Sequence, residues 1–150
     1  MLDIKKLREL ENEGKYLFHG SVHENSSVFE PRQAYTIREG KKVEDDKPGI
    51  HTTPNLDIAI FMATVSPRNT NCKNFRSSFF RDNTGLRLQM NKEVSENMKP
   101  ESSGFVYIFN KDDFTKRNEI EYISYKMVAS IDFAKVKFSD LLKKVEVIPN

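Results

Sequence analysis

Three short stretches carry the residues able to do chemistry. Tyr16-Leu17-Phe18 runs straight into His19-Gly20-Ser21, so an apolar run that reads as a short buried strand ends in an imidazole, a glycine and a hydroxyl. His19 and Ser21 can donate to or accept from sugar hydroxyls, and the glycine between them lets a ligand approach the backbone closely. The second stretch, Gly49-Ile50-His51-Thr52-Thr53, is another short strand that carries an imidazole into a turn. The third runs from Glu119 to Tyr125, where alternation puts Glu119 and Glu121 on one strand face with Ile123 and Tyr125. A carboxylate in so apolar a stretch is either an exposed charge on an edge strand or a buried functional group. The histidines have the same two readings: each is a satisfied structural residue, His51 by capping the helical region that follows, or a ligand-binding one.

The elements that must position these groups are readable in outline. Residues 2–13 read as an amphipathic helix with Ile4, Leu7 and Leu10 on one face and Gly14 placed to end it. Residues 22–48 are polar and read as a long irregular loop, either a functional lid or a solvated surface segment. Inside it, Arg32 and Tyr35 could hold a phosphate and stack a base, or simply face water. Thr53 is a good N-cap and Pro54 a good first helical residue. The helix that follows, 55–64, is apolar nearly all round and is therefore expected to be buried, with Pro67 as its stop. Residues 74–81 and 86–90 look like a hairpin in which Phe75, Phe79 and Phe80 are interleaved with Arg76, Arg81 and Arg87. Such a hairpin could meet single-stranded nucleic acid; the plainer reading, aromatics on the core and cations in solvent, is preferred. Residues 93–103 read as a polar loop and 104–109 as a strand. A charged connector spans 111–118, strand continues over 131–133 and 135–138, and a closing turn and strand fall within 141–147. Strands clustered in the second half argue for an α+β domain rather than alternating α/β.

Composition bounds the rest. A chain of 150 residues, 37% hydrophobic and 31% charged, suits one globular domain over residues 1–150. No apolar run reaches the roughly 18 residues of a membrane span, so no membrane association is expected. The first residues are charged and lack a signal-peptide core. The single Cys72 excludes an internal disulfide or a Cys-rich zinc site and fits a reducing, cytoplasmic compartment. A net charge of +2 is too small to argue for nucleic-acid binding by itself. There is no glycine-rich dinucleotide fingerprint, no P-loop and no obvious metal cluster.

Taken in order, the three stretches resemble the ADP-ribosyltransferase fold in its diphtheria-toxin and poly(ADP-ribose) polymerase branch. His19-Gly20-Ser21 matches that branch's His-Gly-Ser after an apolar strand. Gly49-Ile50-His51-Thr52-Thr53 with the helix after it matches its Gly-Ile-aromatic block. Ile120-Glu121-Tyr122-Ile123-Ser124-Tyr125 matches its glutamate-bearing strand. The resemblance covers residues 16–125 and implies a split mixed or antiparallel β-sheet with a few helices, NAD as substrate and no metal. It implies that His19 and Ser21 meet the adenosine ribose and that the Gly20 backbone holds the nicotinamide carboxamide. His51 takes the place of the stacking tyrosine, with Thr52 beside it, and Phe61, allowing a one-residue slip, that of a second stacking aromatic. Glu121 would be catalytic with His19 and His51, binding the nicotinamide ribose. Glu119, spaced as in the paired Glu-x-Glu of arginine- and nucleotide-modifying transferases, would orient the acceptor.

The implied chemistry suits these residue types. Breaking the nicotinamide–ribose bond passes through an oxocarbenium-like state, as in glycoside cleavage, which a nearby carboxylate stabilises. Nicotinamide departs neutral, so no strong acid is required. The acceptor would be a macromolecule, protein or nucleic acid. Small solitary domains of this type resemble toxins and phage or conflict-system proteins, which implies an antitoxin or inhibitor protein as a partner. Two other readings stand beside this one. The first is a non-catalytic NAD- or ADP-ribose-binding module. The second is an RNA-binding or RNA-processing protein, including a tRNA 2′-phosphotransferase-like activity towards which a histidine at position 51 points.

Overall fold

The computed structural model describes residues 1–38 and 41–150, with the side chains of 34–38 and 42–46 excepted. Tyr35 is among these exceptions and lies outside the described residues. Helix α1 (Ile4–Glu13) starts where the Asp3 carboxylate accepts from the Lys6 N–H at 2.9 Å and ends at Gly14, whose φ of 71° is left-handed. Strand β1 (Tyr16–Ser21) follows. The irregular loop expected over 22–48 is replaced by strands β2 (Val28–Phe29), β3 (Arg32–Arg38) and β4 (Lys41–Thr52). β3 runs antiparallel to β4, with Arg32 opposite Gly49. Polar side chains erase the hydrophobic alternation by which strands are recognised, yet the ladder is made by backbone groups and does not need it.

Helix α2 (Leu56–Thr64) is capped by Asn55, whose side-chain oxygen accepts from the Ile58 N–H at 3.1 Å, and not by Thr53. Thr53 is held in extended backbone by its pairing with Phe18, so Pro54 precedes the helix instead of starting it. Pro67 likewise opens a new turn, α3 (Pro67–Thr70), two residues after Val65 has ended α2. The hairpin β5 (Ser77–Asp82) and β6 (Gly85–Asn91) turns between Asp82 and Gly85, the glycine taking a φ of 110°. The expected loop after it begins with helix α4 (Lys92–Asn97), anchored by the buried Val94. β7 (Ser103–Asn110), β8 (Thr115–Lys116), β9 (Tyr122–Ser124), β10 (Val128–Ala129), β11 (Asp132–Lys137) and β12 (Val145–Ile148) complete the chain.

The result is a mixed α+β arrangement. Its sheets are β1-β7-β11, β3-β4-β9-β8, β12-β6-β5 and the pair β10-β2, antiparallel throughout except where β12 runs parallel to β6. The first two sheets touch where Phe18 and Thr53 exchange backbone hydrogen bonds of 2.8 and 2.9 Å. Helix α2 lies between layers, which is why it is apolar all round. Leu56, Ala59, Ile60 and Ala63 pack on the β1-β7-β11 side, and Ile58, Phe61 and Val65 pack with Leu88, Met90 and Val94 on the other. Two glycines set how close the helix comes. A Cβ on Gly20 would lie 2.0 Å from the Ala59 carbonyl oxygen, and one on Gly104 2.1 Å from that of Ala63.

Candidate functional site

His19 stands near the end of β1, just past the contact with β4. His51 stands on β4 one residue before the strand ends, and Glu121 immediately precedes β9, which pairs with β4 through Ile50, His51 and Thr52. Because Phe18 of β1 pairs with Thr53, the residue just after β4, the two imidazoles come together across the junction. The His19 ring donates from Nδ1 to the His51 carbonyl oxygen at 2.8 Å; a carbonyl only accepts, so Nδ1 carries the hydrogen. The His51 ring turns the other way, its Nδ1 3.2 Å from Glu121 Oε2. Arg117 Nη1 lies 3.4 Å from the other oxygen of that carboxylate. His51 Nε2 is buried and meets no hydrogen-bonding group among the described residues.

His19, His51 and Glu121 line one cleft of about 40 Å³, together with Gly20, Thr52, Thr53, Phe18, Ile58, Met62, Phe79 and Ile120. A larger, open hollow of about 330 Å³ lies alongside, and Met62 and Phe79 line both. Burial drives the His19 pKa below that of an ordinary imidazole. The hydrogen bond to the His51 carbonyl opposes this, and electrostatic interaction with the His51 ring and with Arg32 adds to it. The His19 ring also meets Phe29 edge-on, with centroids 5.2 Å apart. The ring is therefore a neutral group whose free valence is Nε2.

Of the residues singled out from the sequence, His19, Gly20, His51, Thr52 and Glu121 come together at the cleft. Arg32 is exposed, within electrostatic reach of His19. Thr52 is buried and donates its hydroxyl to the Tyr122 carbonyl at 3.1 Å, tying β4 to β9. Two further candidates, Ser21 and Phe61, stand away from this cleft, and the reading of Glu119 is corrected. The Ser21 hydroxyl is turned into its own loop, accepting from the His23 N–H and the Asn25 amide, each at 3.1 Å, and is not among the cleft residues. Phe61 is 2% exposed and packs in the core beside Leu88, as its all-apolar helix implies, with an edge on the open hollow next to the cleft. Glu119 shares no strand face with Glu121: the Arg117 and Asn118 N–H groups fold back onto the Glu121 carbonyl, so the chain turns there and β9 starts only at Tyr122. The Glu119 side chain is 73% exposed and pairs with Lys116.

Gly20 has a structural duty that the sequence reading missed, since any side chain would strike α2. Met62, Phe79 and Ile120 were missed as cleft residues. The basic hairpin divides in two. Phe75 and Phe79 pack on the core, and Arg87 is held by Asp82 and Glu146, while Phe80 faces solvent. Among the described residues, no group of three or more His, Cys, Asp or Glu is placed to hold a metal ion, and no helix is long and apolar enough to cross a membrane. Compared with family models, with curated proteins and with solved structures, the chain has no match.

Proposed function

We propose that this chain is an ADP-ribosyltransferase with the fold of the diphtheria-toxin and poly(ADP-ribose) polymerase branch, cleaving the nicotinamide–ribose bond of NAD and passing ADP-ribose to a macromolecule, protein or nucleic acid. The observation that carries this reading is convergence. His19, His51 and Glu121, drawn from three separate stretches of the sequence, line a single cleft where two sheets diverge. His19, neutral and protonated on Nδ1, offers Nε2 to a ribose hydroxyl. A carboxylate accepts several hydrogen bonds at once, so Glu121 can hold His51 and still receive a hydroxyl of the nicotinamide ribose. There its negative charge favours the oxocarbenium-like state over the ground state. The apolar wall of Phe18, Ile58, Met62 and Phe79 keeps bulk water from that charge. Met62, which lines the cleft and is 43% exposed, stands where nicotinamide would enter.

The test is nicotinamide release from NAD by wild type and by Glu121→Gln. The substitution keeps the size and removes the charge, and release should fall about 100-fold or more. Equal rates in the two proteins would overturn the assignment of Glu121. A mass gain of one ADP-ribose unit on candidate proteins or RNAs would identify the acceptor class.

A further inference from the structure

We propose that His51, oriented by Glu121, is the base that deprotonates a neutral hydroxyl acceptor, so that this transferase modifies O–H groups. The inference rests on the NAD-dependent reading above and specifies its acceptor. Glu121 Oε2 sits 3.2 Å from His51 Nδ1. An ionised carboxylate only accepts, so the imidazole hydrogen is on Nδ1 and the lone pair of the neutral ring is on Nε2. That Nε2 is buried and meets no partner among the described residues, an expensive arrangement for a group with no task. The residue is pinned at its backbone as well: its carbonyl accepts from His19 Nδ1 at 2.8 Å, and it pairs with Ile123 in the ladder. A base fixed by a third group is the arrangement that activates a weak nucleophile.

The surroundings select a neutral acceptor. Phe18, Ile58, Met62, Phe79 and Ile120 give the cleft apolar walls, which disfavour a bare ammonium. An anionic acceptor would need no base. In the step itself the acceptor oxygen forms a bond to the anomeric carbon of the nicotinamide ribose, and its proton passes to His51 Nε2. The carbon–nitrogen bond breaks with its electron pair going to the ring nitrogen, releasing neutral nicotinamide. The imidazolium, held by Glu121, then returns its proton to solvent. The net products are an O-linked ADP-ribose, nicotinamide and one proton.

The experiment compares wild type with His51→Ala and His51→Gln on NAD in the presence of methanol or azide, following nicotinamide and the ADP-ribosyl product. Methanol must lose a proton; azide, already an anion, need not. Methyl ADP-ribose formation should fall roughly 100- to 10,000-fold in both variants. Azide should raise their nicotinamide release at least tenfold and give ADP-ribosyl azide. His51→Gln, which keeps a polar side chain of similar reach, guards against loss of folding and is accepted only with an unchanged circular dichroism spectrum. If azide is no better than methanol, or either variant retains wild-type methanolysis, His51 is not the base. If wild type releases no nicotinamide with either nucleophile, the NAD reading itself fails and takes this inference with it.

Discussion

His19 shows how one ring can be tuned by position alone. Its Nδ1–H is committed to the His51 carbonyl, and burial together with neighbouring positive charge holds its pKa below the ordinary imidazole value. The consequence for stability has a definite sign. Above the unfolded value of about 6.5 the ring is neutral in both states and stability does not depend on it. Below that value the unfolded chain binds the proton first, so stability falls with pH until the lower, folded pKa has been passed. The melting temperature of wild type should therefore drop between about pH 7.5 and about pH 5 more steeply than that of His19→Asn. Asp82 and Glu146, whose pKa values lie below the ordinary carboxylate range because of Thr84 and Arg87 respectively, titrate lower and do not mask the difference. Parallel melting curves for the two proteins across that range would show that His19 is not held in this way.

Helix α2 is the element on which the site depends, and glycines set its distance from the sheet. With Ala59 O only 2.0 Å from where a Gly20 Cβ would stand, even alanine forces the helix away from β1. Gly20→Ala should lose about 3 kcal/mol, near the upper end of ordinary overpacking. For a chain of this size that is a fall on the order of 10 °C in melting temperature. Gly104→Ala, which strikes Ala63 O, should behave alike, and a melt within a degree or two of wild type for either would refute the tight contact. This helix and strands β1 and β7 are legible in the sequence because burial on both faces leaves continuous apolar runs. β3 and the part of β4 before Gly49 are not, because their polar residues leave no alternation to read. Asn55 and Thr53 are both N-cap types, asparagine the better, and the pairing of Thr53 with Phe18, a long-range contact, holds Thr53 out of the role. In the site, the residue types at 19, 51 and 121 are visible in advance. The turn that points Glu119 away is not, nor is the approach of Phe79 to Met62, which depends on where the hairpin settles against α2.

For the molecule as a whole, the cleft is a junction between two sheets, and a ligand that reaches both sides acts as a brace. On the proposed reading NAD, held by His19 on one sheet and by Glu121 beside the other, would bind only the folded chain. At about 100 times its dissociation constant it should add about 2.7 kcal/mol, a rise on the order of 5–10 °C in melting temperature for this size. The rise should shrink in His19→Ala, which removes one anchor. It should vanish in Met62→Trp, where a larger side chain on the exposed flank of α2 fills the narrow cleft without disturbing the buried faces of the helix. The two variants separate two causes. Loss in both means that the ligand sits in the cleft between the sheets. Loss in His19→Ala alone means that it lies over the ring from outside, with nicotinamide never entering, and the wall of Met62 and Phe79 then has no part in binding. An undiminished rise in both would put NAD elsewhere on the protein, and the convergence of His19, His51 and Glu121 would lose its meaning as a site for it.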